Sequence, residues 1–183
     1  MASVSSSRAV LLVGIALLLA SGAEGRVLFG KKEALEAAFP DADRVEKVTH
    51  FLTEEQVARV RELSGAEVKD KLVTWHAGHK GDAIQGYAYF ETHNVRTLPE
   101  TLLVVVTPAG QVQNVLLLAF YEPPEYEPGK RWLQQFDAKK LGPDLRVTRE
   151  IHGITGATLT ARAVTGGVRR ALALFQVLIA EGK

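Results

Sequence analysis

The run His152-Gly153-Ile154-Thr155-Gly156-Ala157-Thr158-Leu159-Thr160 sets three hydroxyls around a Gly-Ala pair, just ahead of the last long apolar-periodic segment. Glycine lets the backbone turn sharply there, and alanine leaves little side chain to block an approaching group. The helix that opens next has first-turn N–H groups without intrahelical partners and a partial positive charge. A hydroxyl beside such a terminus can accept a phosphate or be esterified to one. Read only as local structure, the same residues make a turn and an N-cap whose hydroxyls accept backbone N–H bonds. Neither a dinucleotide fingerprint nor a P-loop fits, since Gly153-x-x-Gly156 lacks the first spacing and no Gly-Lys-Ser/Thr follows.

Thr155-Gly156-Ala157-Thr158, followed by Leu159-Thr160, resembles the flavin-attachment motif of FMN-binding domain proteins. That family includes the FMN-carrying subunits of Rnf-type and Na⁺-pumping NADH:quinone oxidoreductase complexes. Its pattern is Asp-x-x-Ser/Thr-Gly-Ala-Thr, and the final threonine holds FMN through a phosphoester installed by a flavin transferase that takes FMN from FAD. The resemblance, which runs loosely from Asp82 to about Ala180, implies that Thr158 carries FMN. It also implies that Thr155, Gly156, Ala157, Leu159 and Thr160 form the surrounding turn. His152 stands where the family usually has Asp, with Glu150 as a nearby carboxylate. Besides the transferase, the implied partners are redox proteins, as in a membrane electron-transport complex.

Other candidate groups point to less. His76 and His79 are three residues apart but sit around a glycine, with no cysteine or tight carboxylate cluster to complete a metal set. They read as a polar turn, and His50 and His93 as ordinary strand-end residues. The run Thr92 to Arg96 is polar enough to line a phosphate, or else is a solvated loop. Trp132 and Phe136 follow a proline-rich stretch. An isoalloxazine ring needs apolar cover, which Trp132 can supply, although a packed aromatic on a short helix reads equally well. Glu122, Glu125 and Glu127 read as solvated loop first and docking surface second. No Ser-His-Asp or Cys-His arrangement and no catalytic nucleophile stands out.

Positioning such a turn requires a folded scaffold, and composition supports one. Of 183 residues, 46% are hydrophobic and 23% charged, which argues against disorder. A net charge of +1 gives nucleic-acid binding no support. Without cysteine there are no disulfides, thiol redox chemistry or covalent c-type haem. At the N-terminus, Arg8 precedes an apolar run from Ala9 to Ala20, and small residues continue to Gly25. That pattern is a secretory signal peptide over 1–25, cut after Gly22, Ala23 or Gly25, or else retained as an anchor. Residues 26–183 would then form one extracytoplasmic FMN-binding domain, periplasmic or on the outer face of the membrane.

Periodicity predicts the elements. Lys31 to Phe39 is a short helix ended by Pro40, Arg44 to Phe51 a strand, and Thr53 with Gln56 a capping box opening a helix to about Leu63. Lys71 to His76 and Ile84 to His93 form a hairpin turning over His79-Lys80-Gly81-Asp82. Thr101 to Thr107 and Val112 to Tyr121 form a second hairpin at the sheet centre. The segment Glu122 to Lys130 is a loop or lid, Arg131 to Phe136 a short helix, and Leu145 to Ile151 a last strand leading into the threonine turn. From Thr158 on, Val164, Val168, Ala171, Leu172, Phe175, Leu178 and Ile179 mark one helix face, interrupted by Gly166-Gly167, whose cost suggests close packing. The expected class is α+β, a twisted, mainly antiparallel sheet with helices packed on it. Three functions fit: an electron carrier with covalent FMN, a non-covalent FMN reductase of a small molecule or ferric complex, and a cofactor-free interaction or sensor domain.

Overall fold

The computed structural model describes residues 26–182; the expected leader over 1–25 lies outside them. Strands β1 (Arg26–Val27), β2 (Arg44–Phe51), β3 (Leu72–Lys80), β4 (Ala83–Asn94), β5 (Pro99–Val106) and β6 (Val112–Phe120) form one sheet. Its order is β1-β6-β5-β4-β3-β2, antiparallel at every pairing. The class is therefore α+β, with an open six-stranded sheet.

Helices α1 (Lys31–Ala38), α2 (Glu54–Ser64), α3 (Lys130–Leu133) and α4 (Thr158–Phe175) cover it. Alternation along β5 decides which side chain meets which helix. Leu102, Val104 and Val106 join Trp75, α2 and α4 in the larger core. Leu103 and Val105 face the opposite way, against Ala34, Ala38 and Phe39 from α1 and its end. With both faces covered, β5 reads as an apolar run rather than an alternation. Trp75 anchors the larger core, its ring 5.2 Å from that of Tyr89 and 6.0 Å from that of Phe175.

The expected capping box is present: Gln56 N–H donates to Thr53 Oγ1 at 3.2 Å, and Thr53 N–H to Gln56 Oε1 at 3.0 Å. The first hairpin turns at Gly81-Asp82, so His76 and His79 are buried within β3 and not in a turn. His76 packs edge-on against Phe90, and His79 Nδ1 lies 3.2 Å from Arg44 Nη2.

The last expected strand, Leu145 to Ile151, joins no sheet. Leu145 and Ile151 are buried, which accounts for the apolar spacing, but the backbone between them closes on itself. Ile151 N–H donates to Arg146 O at 3.2 Å, Glu150 N–H to Asp144 O at 3.2 Å, and Thr148 takes the left-handed conformation at φ 70°. The threonine turn thus follows a closed loop, and helix α4 has to hold that loop in place. Arg169 of α4 does so, donating to the carbonyls of Ser64 (2.8 Å), Leu63 (2.9 Å), Gly142 and Leu145 (3.3 Å).

A π-helical turn, Gln176–Ala180, continues α4. By length and composition Thr158–Ala180 could cross a membrane, but 67% of its apolar window is buried in this fold, as for a core helix. Gly167 explains the glycine pair. A Cβ there would lie 2.8 Å from His93 Cε1 and 3.0 Å from Glu91 Cγ, so α4 reaches β4 only because this side chain is missing. Gly167→Ala is expected to destabilise the fold by roughly 1–3 kcal/mol, the usual cost of overpacking. Urea unfolding of the two proteins measures it; an unchanged midpoint would contradict the close contact. Gly166 meets nothing within 4 Å, and Gly166→Ala is the matched control.

Candidate functional site

Three segments converge at the N-terminal end of α4. The β4–β5 turn brings Val95 and Arg96, the stretch after β6 brings Glu122 and Tyr126, and the motif brings Gly156 to Thr160. Together they line a hollow of about 210 Å³. Gly156 adopts φ +79°, with nothing within 4 Å of where a Cβ would stand, so this position is a glycine for its backbone and leaves open space above it. Ala157 N–H donates to Ile154 O at 3.0 Å, and Ala157 itself is buried.

Helix α4 begins with Ala157 as N-cap, and no side chain caps it. Its first intrahelical bond is Ala161 N–H to Ala157 O at 3.1 Å, so the amides of Thr158, Leu159 and Thr160 precede the helical ladder. The hydroxyl-capped turn is therefore not what forms. Thr155 and Thr158 are exposed, Thr160 is buried, and Leu159 is 44% exposed at the rim.

The approach to the motif is clamped from α3 and the 3-10 turn that follows it, Gln134–Phe136. Trp132 Nε1–H donates to the carbonyl of His152 at 2.8 Å, and the N–H of His152 donates to Gln135 Oε1 at 2.8 Å. Trp132 also meets Phe136 edge to face at 5.6 Å. Expected as ring cover, Trp132 is not among the residues lining the hollow; it fixes the backbone at His152. The His152 side chain is exposed. Of the sequence-derived residues, the structure brings Gly156, Ala157, Thr158, Leu159 and Thr160 together, with Thr155 adjoining and His152 and Trp132 behind.

Two readings of polar residues need correction. Glu122 is not solvated but buried, and its Oε1 accepts the N–H groups of Arg96 (3.1 Å), Thr97 (2.9 Å) and Leu98 (2.9 Å). These bonds, that from Leu98 foremost, hold its carboxyl below the ordinary range against desolvation. The effect is to fix the turn that carries Arg96. The residue was legible by phase: two past buried Phe120, it continues the inward positions of β6. His93 is no ordinary strand-end residue either. It is buried under α4, with Nε2 2.7 Å from Glu100 Oε1 and Nδ1 3.2 Å from Glu91 Oε1. Here too, alternation from Tyr87 through Tyr89, Glu91 and His93 puts the polar pair on the inner face.

The chemistry at the hollow suits an anion. Arg96 faces it, three amides at the start of α4 lie ahead of the helical ladder, and Thr158 offers an exposed hydroxyl. A group of FMN's kind fits these residues by its phosphate. At about 210 Å³ the hollow is smaller than the ~300 Å³ and upward of enclosed ligand pockets, so a ring would lie partly outside it.

Comparison with known proteins agrees with this geometry. Residues 98–173 match the family model of the FMN-binding domain, which takes in β5, β6, Glu122, the threonine turn and most of α4. The chain is also similar to one of the subunits of the proton-translocating ferredoxin:NAD(+) oxidoreductase complex of Clostridium ljungdahlii, 30% identical over 106 residues. That match covers 54% of this chain and 57% of the relative's length.

Proposed function

Proceeding from the FMN-binding domain that residues 98–173 carry, we propose that this chain is an electron-carrying flavoprotein whose FMN is esterified to Thr158. The observation behind it is the placement of the Thr158 hydroxyl, exposed at the rim of a hollow shared with Arg96 and the free amides of α4. A phosphodiester keeps one negative charge. Arg96 and the helix terminus oppose that charge, each in the range of a few tenths to about 1 kcal/mol at an exposed site. Glu122 holds the turn that aims Arg96, while Trp132 and Gln135 hold the backbone ahead of the motif. The isoalloxazine supplies one- and two-electron exchange when bound.

Leu159 at the rim and Leu98 in the adjoining turn are exposed and would offer apolar cover to a ring extending beyond the hollow. Among the described residues, the ionisable side chains that share the hollow with Thr158 are Arg96, Glu122 and Tyr126, and the Glu122 carboxylate is taken up by the turn's amides, which suits a carrier over a catalyst of substrate turnover. Its partners in this account are a flavin transferase and redox proteins. The similarity to one of the subunits of a ferredoxin:NAD(+) oxidoreductase complex points to a membrane electron-transport assembly. The leader-like N-terminus supports an extracytoplasmic position for the domain.

The reduced, flavin-loaded protein is expected to pass electrons to a one-electron acceptor such as a haem protein or a ferric complex. Stopped-flow mixing after photoreduction measures this, and steady NADH oxidation by the isolated protein should be negligible. Rapid, saturable turnover with NADH alone would contradict the carrier and favour a reductase.

A further inference from the structure

Beneath Gly167, away from the Thr158 hydroxyl, lies a buried group of charges that the carrier role does not use. His93 sits between two carboxylates, Nε2 2.7 Å from Glu100 Oε1 and Nδ1 3.2 Å from Glu91 Oε1. Glu100 is fully buried, Glu91 and His93 nearly so. Arg170 of α4 grips Glu91 with Nε at 3.1 and 3.2 Å from its two oxygens, Nη2 closing the fork, and its Nη1 donates to the carbonyl of Glu67 at 3.2 Å. The second oxygen of Glu100 is buried and has no partner.

This arrangement dictates a proton count. A neutral imidazole has one N–H and can donate to one carboxylate; the other nitrogen would then set its lone pair against carboxylate oxygen. Both bonds form together only if His93 is imidazolium, or if one carboxyl holds the proton instead. Either way the three residues retain one proton, and losing it leaves an unbalanced buried negative charge. Burial alone would push that proton off His93; the bonds to Glu100 and Glu91 outweigh burial and push its pKa up to about 9. Burial likewise pushes Glu100 up. The charged groups around His93 are Glu91 of β4, Glu100 of β5, Arg170 of α4 and Glu122 beyond β6. At the wall of the adjoining cavity stand Glu67, Lys69, Asp70 and Arg162.

Two features join this cluster to the Thr158 hollow. The strand end that holds His93 runs through Asn94 into Val95 and Arg96, which line the hollow, and Glu122 on the hollow's wall acts electrostatically on Glu100. On its other side, Glu91, His93 and Arg170 line a solvent-open cavity of about 330 Å³ between α4 and the 67–70 segment. A proton can therefore enter from water without crossing the flavin.

We propose that Glu91, His93 and Glu100 form a proton-binding site linked to the redox state of the flavin, filled through the cavity at Arg170. The inference rests on the flavin being carried at Thr158. Two electrons from an external reductant and one proton from water leave a bound flavin one unit more negative. The triad then binds its own proton more tightly, taken from water through the cavity onto the His93–Glu100 pair, with no other bond made or broken. By reciprocity, a protonated triad favours the reduced flavin.

The test is ¹³C-histidine NMR of the flavin-loaded chain, oxidised and dithionite-reduced, across pH. His93 is assigned among the five histidines by His93→Gln. The resonance should stay that of imidazolium through pH 8, and reduction should raise its proton affinity about fivefold or more, the lower range of coupled sites. Glu100→Gln, close in shape, should lower the affinity more than tenfold. The same variant, and His93→Gln, should remove the extra pH dependence of the flavin midpoint potential near pH 9. A neutral His93 beside an ionised Glu100 at pH 7, the latter read from the ¹³C carboxyl shift of labelled glutamate, or a triad blind to reduction in a yellow, loaded protein, overturns the linkage and leaves the flavin assignment standing. Failure of Thr158 to carry flavin overturns both.

Discussion

Thr158→Ala should abolish flavin fluorescence from the denatured protein, while Thr155→Ala and Thr160→Ala leave most of it. A covalent bond is lost outright when its oxygen is lost, so the expected effect is complete and not graded. The neighbours differ by position. Thr155 is exposed on the far side of the Gly156 turn, and Thr160 is buried in the first turn of α4, where its hydroxyl is out of a transferase's reach. No side chain caps α4, so removing the Thr158 hydroxyl should cost little stability, and the variant should fold as well as the parent. Fluorescence in a denaturing gel after co-expression with a flavin transferase measures it. Full labelling of Thr158→Ala would remove the assignment, and transfer of labelling to Thr155 would relocate it.

The second large effect is expected at Arg169→Met. The guanidinium is buried and donates to carbonyls of Leu63, Ser64, Gly142 and Leu145, joining the C-terminal end of α2 to the loop ahead of the threonine turn. Methionine matches the stem but leaves several buried carbonyls without donors. At about 1–3 kcal/mol for each unsatisfied group, only partly recovered by relaxation and water, the loss should be about 3–5 kcal/mol. Arg169→Lys should recover little of it, because an ammonium cannot reach acceptors placed for a planar fork. Thermal or urea unfolding measures both. A loss below about 1 kcal/mol for Arg169→Met would mean that the loop holds itself.

Where local chemistry decides structure, the chain was readable. Strand β2 has the expected bounds, Arg44–Phe51, and α2 starts at the expected capping box because Thr53 and Gln56 satisfy each other's backbone amides. The Gly156 turn was readable for the same reason, since a left-handed φ calls for glycine. What failed depended on distant partners. Leu145 to Ile151 has a strand's apolar spacing, yet the Leu145 carbonyl is claimed by Arg169, 24 residues on, and the carbonyls of Arg146 and Ile151 by amides of the same loop. Trp132 was readable as an aromatic near the site, but its hydrogen bond to His152 depends on how α3 lies against the motif. Glu122 and His93 looked solvated because charged residues usually are. Each in fact continues the inward phase of its strand, and each owes its burial to a partner brought in by the fold, a turn's amides for one and Glu100 for the other.

The central claim, FMN held at Thr158, is tested most directly by the intact mass of the purified chain after co-expression with a flavin transferase, followed by peptide mapping. The account predicts one adduct, equal to FMN less the water lost on esterification, on the peptide containing Thr158. An unmodified mass from visibly yellow protein, or an adduct on any other residue, would contradict it.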